Sequence, residues 1–283
     1  MIRIILWLAI FFLSWQQAGA AQAVPPEIGA QAAILMDARS QYIYYAKERD
    51  KRMYPASTTK IMTLLVALKR GDPNSVVTVD PKASASMGSC LGLQAGEQME
   101  LKELLYGMML VSGNDAAEAV AVHVGRNRPQ FIRWMNEEAA RIGVNGTRFS
   151  NPHGLPDPSN HYTTAFDLAL ITAEALNYPD FRRIVATKER TVASLNGGLR
   201  QVKNSNALLD TFYGVNGVKT GYTKAAGYCL VATARRGDTE LIAVILNSPN
   251  RYQDAARLLE YGFNIRGTVE KGSSAPLQSR AGV

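Results

Sequence analysis

The sequence predicts an α+β protein, with strand-like runs at both ends of the chain, the later ones forming an antiparallel sheet, and helices in between. Three observations point that way: two N-terminal strand-like runs (residues 32–37 and 41–46) joined by Ala38-Arg39-Ser40, a central stretch dominated by helical periodicity, and a last third in which strand-like runs follow one another across tight turns. With 283 residues, 47% of them apolar and 19% charged, the chain can bury a sizeable core and does not have the composition of a disordered one.

The N-terminus reads as an export signal. Arg3 gives a positive start, residues 4–15 are mostly apolar, and Ala18-Gly19-Ala20 and Ala21-Gln22-Ala23 offer small-residue cleavage sites. Residues 1–23 are therefore expected to be a signal peptide, cut after Ala20 or Ala23. The alternative is an uncleaved anchor, although the apolar run is shorter than the ~20 residues a spanning helix prefers. The formal charge is +7, and loss of Arg3 with the leader leaves 30 basic against 24 acidic residues. That surplus favours a loose association with anionic envelope polymers or lipid headgroups, whereas the lack of a long basic run argues against nucleic acid. Cys90 and Cys229 lack metal spacing. Cys229 lies in a strand-like run, where a free buried thiol is expected, with a Cys90–Cys229 bridge as the alternative.

After the stiff connector Val24-Pro25-Pro26-Glu27 and the two strands, Tyr54-Pro55-Ala56-Ser57-Thr58-Thr59-Lys60 leads into a helix that ends near residue 70. This helix is apolar on nearly all faces, so it should be the central buried one. Ser57 and Lys60 share a helix face. A serine is a nucleophile only when a base takes its proton, and a lysine is that base only if burial or a neighbouring cation lowers its pKa. Alone, Ser-x-x-Lys is a common pattern that more often describes a helix-capping Ser with an unrelated surface Lys.

Further on, residues 75–79 read as a short strand, 93–99 as a turn between extended pieces, and 101–110 as a helix. Val111-Ser112-Gly113-Asn114-Asp115 breaks it before the next helix at 116–124. Ser112 and Asn114 bracket a glycine there, either aiming a hydroxyl and an amide into one cleft or forming an ordinary turn. Asp115 and Glu118 read as partners of the helix dipole. Residues 131–142 are an amphipathic helix closed by Gly143-Val144-Asn145-Gly146. Residues 149–158 form a proline-rich ordered loop, and its His153, like His161, reads as structural because no third ligand follows at metal spacing. Thr163 or Thr164 caps a helix over 165–176. Residues 185–193 and 199–202 flank Asn196-Gly197-Gly198 as a hairpin. A turn and strand from 215, then strands at 227–234 and 240–246, make the antiparallel meander, and a helix over 252–261 packs back on it. Residues 267–283 read as a flexible tail, so one domain is expected over 24–266.

Lys219-Thr220-Gly221 on the first of those late strands gives Ser57 and Lys60 company: a second lysine to hold Lys60 neutral, a hydroxyl for an anionic group, and a glycine that admits a close backbone. The ordered set Ser-x-x-Lys, Ser-x-Asn, Lys-Thr-Gly resembles the penicillin-binding proteins and serine β-lactamases. The surrounding residues, Ser112-Gly113-Asn114-Asp115-Ala116-Ala117, Asn151-Pro152-His153-Gly154-Leu155, His161-Tyr162-Thr163-Thr164-Ala165 and Gly217-Val218-Lys219-Thr220-Gly221-Tyr222-Thr223, are similar to the low-molecular-mass D-alanyl-D-alanine carboxypeptidases. The likeness covers about residues 32–263.

The resemblance implies a five-stranded antiparallel sheet against a helical cluster, here in a single-domain form, soluble or N-terminally anchored. It implies export to the periplasm or extracellular cell wall, substrates that are peptidoglycan stem peptides ending in D-Ala-D-Ala, β-lactams as inhibitors, and no metal or organic cofactor. It gives Ser57 as nucleophile, Lys60 as base, the backbone N–H groups of Ser57 and Tyr222 as oxyanion hole, and Ser112 with Lys219 as proton relay. Asn114 would bind a substrate amide, Gly221 would let the substrate backbone approach, and Thr220 with Arg251 would hold the terminal carboxylate. A β-lactamase ranks lower, because the nearest match to the Glu-x-x-Leu-Asn loop of class A enzymes is Glu174-Ala175-Leu176-Asn177, one residue short and within a helix. An endopeptidase differs only in substrate. A silent sensor module would have no need of Ser112 or Lys219.

Overall fold

Strands that are apolar at every position, not only at alternate ones, have to be covered on both faces. Ala32-Ala33-Ile34-Leu35-Met36 is such a run and Leu241-Ile242-Ala243-Val244-Ile245-Leu246 another; in the computed structural model, which describes residues 24–272, they pair side by side. β1 (Ala32–Asp37) turns through Asp37, whose Oδ1 accepts the Arg39 and Ser40 N–H groups, into β2 (Ile43–Lys47). A 3-10 turn, Ala56–Thr59, then feeds α1 (Lys60–Arg70). β3 (Val76–Thr78), α2 (Pro81–Ser84) and β4 (Gln98–Glu100) precede α3 (Leu101–Leu110), α4 (Asn114–Gly125), α5 (Arg128–Ile142), α6 (Ala165–Ala175) and α7 (Pro179–Ala186). The hairpin of β5 (Glu189–Ala193) and β6 (Leu199–Lys203) is followed by α8 (Leu208–Thr211), β7 (Val215–Thr223), β8 (Gly227–Arg236), β9 (Thr239–Leu246) and α9 (Arg251–Gly272).

The main sheet has the order β2-β1-β9-β8-β7 and every neighbouring pair is antiparallel. β7 is thus an edge. Because side chains alternate across a strand, Ile34, Met36, Ile242 and Val244 join the helical core on one face, while Ala33, Leu35, Leu241 and Ile245 meet Ala255, Leu258 and Leu259 of α9 on the other. Eight successive residues of α1, Lys60 to Ala67, are buried, as its all-round apolar pattern requires.

Four elements differ from the expectation. Residues 179–186, partly assigned to a strand, are the helix α7: Pro179 sits in its first turn and Phe181, Ile184 and Val185 form its buried face, a helical spacing that outweighs the β-branched Ile-Val pair. α2 was not foreseen, though Asp80 caps it by accepting the Lys82 N–H at 2.7 Å and Pro81 opens it. α8 was not foreseen either. The helix expected over 252–261 runs from Arg251 to Gly272, crossing residue 267, where an irregular tail is expected to begin. The proposed signal peptide and residues 273–283 lie outside the described residues.

Candidate active site

The turn before α1 is locked by its own side chains. Thr58 Oγ1 donates to the Pro55 carbonyl at 2.6 Å, Thr59 Oγ1 to the Ala56 carbonyl at 2.9 Å, and Ala56 takes a φ of 48°. A non-glycine residue in that region is strained, and such strain gathers at functional sites. Ser57 follows it, and Lys60 is the first residue of α1 proper. Lys60 is fully buried, with Nζ 3.1 Å from Ser57 Oγ, 2.7 Å from Asn114 Oδ1 and 2.9 Å from the His153 carbonyl oxygen. Burial, and after it the charge of Lys219, holds the Lys60 ammonium well below a lysine's ordinary pKa, against a smaller pull upward from Asp115 and Glu118. A neutral amine has two N–H donors and one lone pair. The two carbonyl oxygens take the donors and leave the lone pair for Ser57.

The break between α3 and α4 carries the second pair, of which Asn114 reaches Lys60 directly. Ser112 is buried with φ 64°, and Asn114 begins α4. One Asn114 amide hydrogen goes to the Met87 carbonyl at 2.7 Å, and the Asn114 backbone N–H goes to the Ser89 carbonyl. Asp115, expected only as a dipole partner, gathers the N–H groups of Leu91, Gly92 and Leu93 at 2.8, 2.8 and 3.0 Å. It thereby ties the segment 87–93 over the break.

On β7, Lys219 is buried, Nζ donates to the Thr220 carbonyl at 3.1 Å, and burial beside Arg251 lowers its pKa to about 7. Thr220 Oγ1 lies 2.6 Å from Ser205 Oγ, a residue the sequence reading missed; its only signal was the polar run Asn204-Ser205-Asn206. Gly221 is close-packed for a reason not foreseen. A Cβ there would stand 3.0 Å from the Ser57 nitrogen and 3.1 Å from Ala56 Cβ, so the glycine admits the protein's own nucleophile turn against the sheet edge. The Tyr222 side chain is exposed, its ring 4.6 Å from that of Tyr228. Arg251 Nη1 donates to the Gly221 carbonyl at 2.9 Å, and its guanidinium lies 5.2 Å from the Tyr228 ring centroid.

Ser57, Lys60 and Asn114 are thus directly connected, and Gly221 packs on the Ser57 turn with Lys219, Thr220 and Arg251 beside it. His161 is structural, as expected: its Nδ1 accepts the Ser150 N–H at 3.0 Å, its Nε2 meets Thr59 Oγ1 at 2.8 Å, and burial lowers its pKa to about 3. Glu174 pairs with Arg141, not with Ser57 or Lys60. Both cysteines are free, Cys229 buried and Cys90 exposed.

The family model described as D-alanyl-D-alanine carboxypeptidase, peptidase S11, matches residues 19–250. D-alanyl-D-alanine carboxypeptidase DacF of Bacillus subtilis (strain 168) is 33% identical over an alignment of 243 residues that covers 83% of this chain and 62% of that protein. DacA of Haemophilus influenzae, bearing the same description, is 37% identical over 84% of this chain and 63% of its own length. The chain therefore spans less than two thirds of these two curated relatives. Among solved structures, the DD-transpeptidase of Streptomyces K15 superposes with a TM-score of 0.82 at 34% identity, over 86% of this chain and all of that one.

Proposed function

The chain belongs to the D-alanyl-D-alanine carboxypeptidase family, peptidase S11, and from that premise we propose that it removes the terminal D-alanine from peptidoglycan stem pentapeptides through an acyl-enzyme, and that β-lactams acylate the same serine. The observation that carries the reading is the Lys60 amine, fully buried, depressed in pKa and 3.1 Å from Ser57 Oγ. Ser57 Oγ attacks the carbonyl between the two D-alanines while its proton passes to Lys60 Nζ. The backbone N–H groups of Ser57 and Tyr222 receive the oxyanion, which fits a nucleophile turn packed on a strand edge at Gly221. Ser112 and Lys219 return a proton to the departing D-alanine nitrogen, and water then cleaves the ester and regenerates Ser57. Asn114 binds the substrate amide with the N–H not held by Met87. Thr220, backed by the Arg251 charge, receives the terminal carboxylate, and Gly221, by admitting the Ser57 turn, brings the nucleophile against the strand edge along which the peptide backbone lies.

The substrate is a cell-wall polymer, so action across the cytoplasmic membrane, in the periplasm or the wall, follows, with residues 1–23 as the export signal and 24–266 as the catalytic domain. No helix among the described residues is long and apolar enough to cross a membrane. The test is an intact-mass time course with penicillin, the adduct mapped by peptide analysis, followed by D-alanine release from a stem-peptide mimic. A long-lived adduct on Ser57, absent in Ser57→Ala together with D-alanine release, is the expected result. An adduct that vanishes within seconds as penicillin is consumed would instead mark a β-lactamase, and no adduct at all would sink the assignment.

A further inference from the structure

α4 places Asn114 and, one turn later, Glu118 on the same face. Asn114 reaches the Lys60 amine directly through Oδ1 at 2.7 Å. Glu118 reaches the amine's other carbonyl acceptor at one remove. Its Oε1 lies 3.0 Å from His153 Nε2, and the His153 carbonyl takes the Lys60 N–H at 2.9 Å. Because His153 Nδ1 already accepts the Leu155 N–H at 3.1 Å, the neutral ring carries its proton on Nε2 and donates it to Glu118. Burial keeps this ring neutral, holding its pKa below the ordinary value against the pull of Glu118. Arg128 Nε sits 3.0 and 3.1 Å from the two Glu118 oxygens. Burial pushes the Glu118 carboxyl upward, but His153 and Arg128 together hold it below the usual carboxylate range, so it is ionised at neutral pH.

We propose that Glu118 is a positioning residue for the Lys60 amine: by holding His153 it fixes the second carbonyl that aims Nζ at Ser57, so that one helix face sets both acceptors. The inference rests on the proposed role of Lys60 as base. It gives Glu118, read from sequence only as a helix-dipole partner, a part in orienting the reaction. The charged or titratable groups acting on Lys60 are Lys219 from β7, Asp115 and Glu118 from α4, and Cys90 from the segment between α2 and β4; those facing Glu118 are Arg128 and His153.

Stopped-flow acylation by a fluorescent penicillin tests it, with the concentration dependence separating the non-covalent Kd from the acylation rate constant, for wild type, Glu118→Ala and Glu118→Gln across roughly pH 6 to pH 9. Glu118→Ala should lower the acylation rate constant about tenfold or more with Kd little changed, since a small misplacement of a reacting group costs rate rather than binding. Glu118→Gln, whose amide oxygen accepts the same His153 N–H, should recover most of that rate and shift the acid limb of the profile to lower pH, because a charge that favours the ammonium has gone. If Glu118→Ala does not fold, His153→Ala, which keeps the carbonyl but removes the ring that Glu118 holds, carries the test with the same readout, a lowered acylation rate constant at little-changed Kd. Wild-type rates and profiles in both variants, or an equal loss of binding and rate, would overturn the inference while leaving the active site in place. A wild type that is never acylated overturns the functional reading and this inference with it.

Discussion

A lysine buried in protein is disfavoured as an ammonium, and among the described residues two, Lys60 and Lys219, are among the largest fully buried side chains. The cost has a direction in pH. Lys219 titrates near 10.5 when unfolded and at about 7 when folded. Below about pH 7 both states are protonated and the penalty is present in full; between that value and 10.5 the unfolded chain binds more protons, so stability rises with pH. Urea midpoints at pH 7 and pH 9 should therefore rise more in wild type than in Lys219→Met, and equal increments would mean that Lys219 stays charged in the fold. At this scale the sequence was informative about side chains and silent about backbone. Ser57, Lys60, Asn114 and Lys219 could be named from motifs, whereas the His153 carbonyl on Lys60 could not, because a main-chain oxygen carries no residue identity.

Elements meet at the site through two glycines, Gly221 on β7 and Gly154 in the loop before α6, both packed on the nucleophile turn. Gly154 has φ 95°, and a Cβ there would stand 1.8 Å from the Ala56 carbonyl oxygen, so the loop that presents the His153 carbonyl lies directly on the nucleophile turn. Gly154→Ala should cost about 3 kcal/mol or more, from a left-handed alanine and a clash with main chain that cannot move aside. Chemical denaturation measures that loss, and the surviving folded protein should acylate slowly because the His153 carbonyl is displaced. Wild-type stability would mean that the two segments separate freely. The sequence located this loop as ordered and proline-rich, but not what it leans on. α7 shows the same limit: its periodicity is plain once Phe181, Ile184 and Val185 are seen to share a buried face, and ambiguous over so few residues before that.

Across the whole molecule, the two cysteines report different depths. Cys229 is buried in β8, its thiol pushed up to about 11 by burial, while Cys90 is exposed near the site. In native protein a thiol reagent should label Cys90 alone, and Cys229 should react only at the rate of global opening, both becoming equivalent in denaturant. Fast labelling of Cys229 without denaturant would show that β8 opens independently of the rest. β8 lies between β7 and β9 in a sheet covered by helices on both faces, and that covering makes global opening the expected route.

By itself the sequence determined the α+β class, the central helix α1 and the antiparallel meander, and it pointed to Ser57, Lys60, Asn114 and Lys219 as candidates, because periodicity, turn chemistry and fixed spacing are local properties written residue by residue. Only the tertiary structure decided that β1 lies between β2 and β9 and that Ser205 meets Thr220. It alone joined Glu118 through His153 to Lys60. Those contacts join residues far apart in the chain, and what selects them is the burial of both sheet faces and the pairing of buried polar groups, conditions satisfied only when the whole chain has closed on itself.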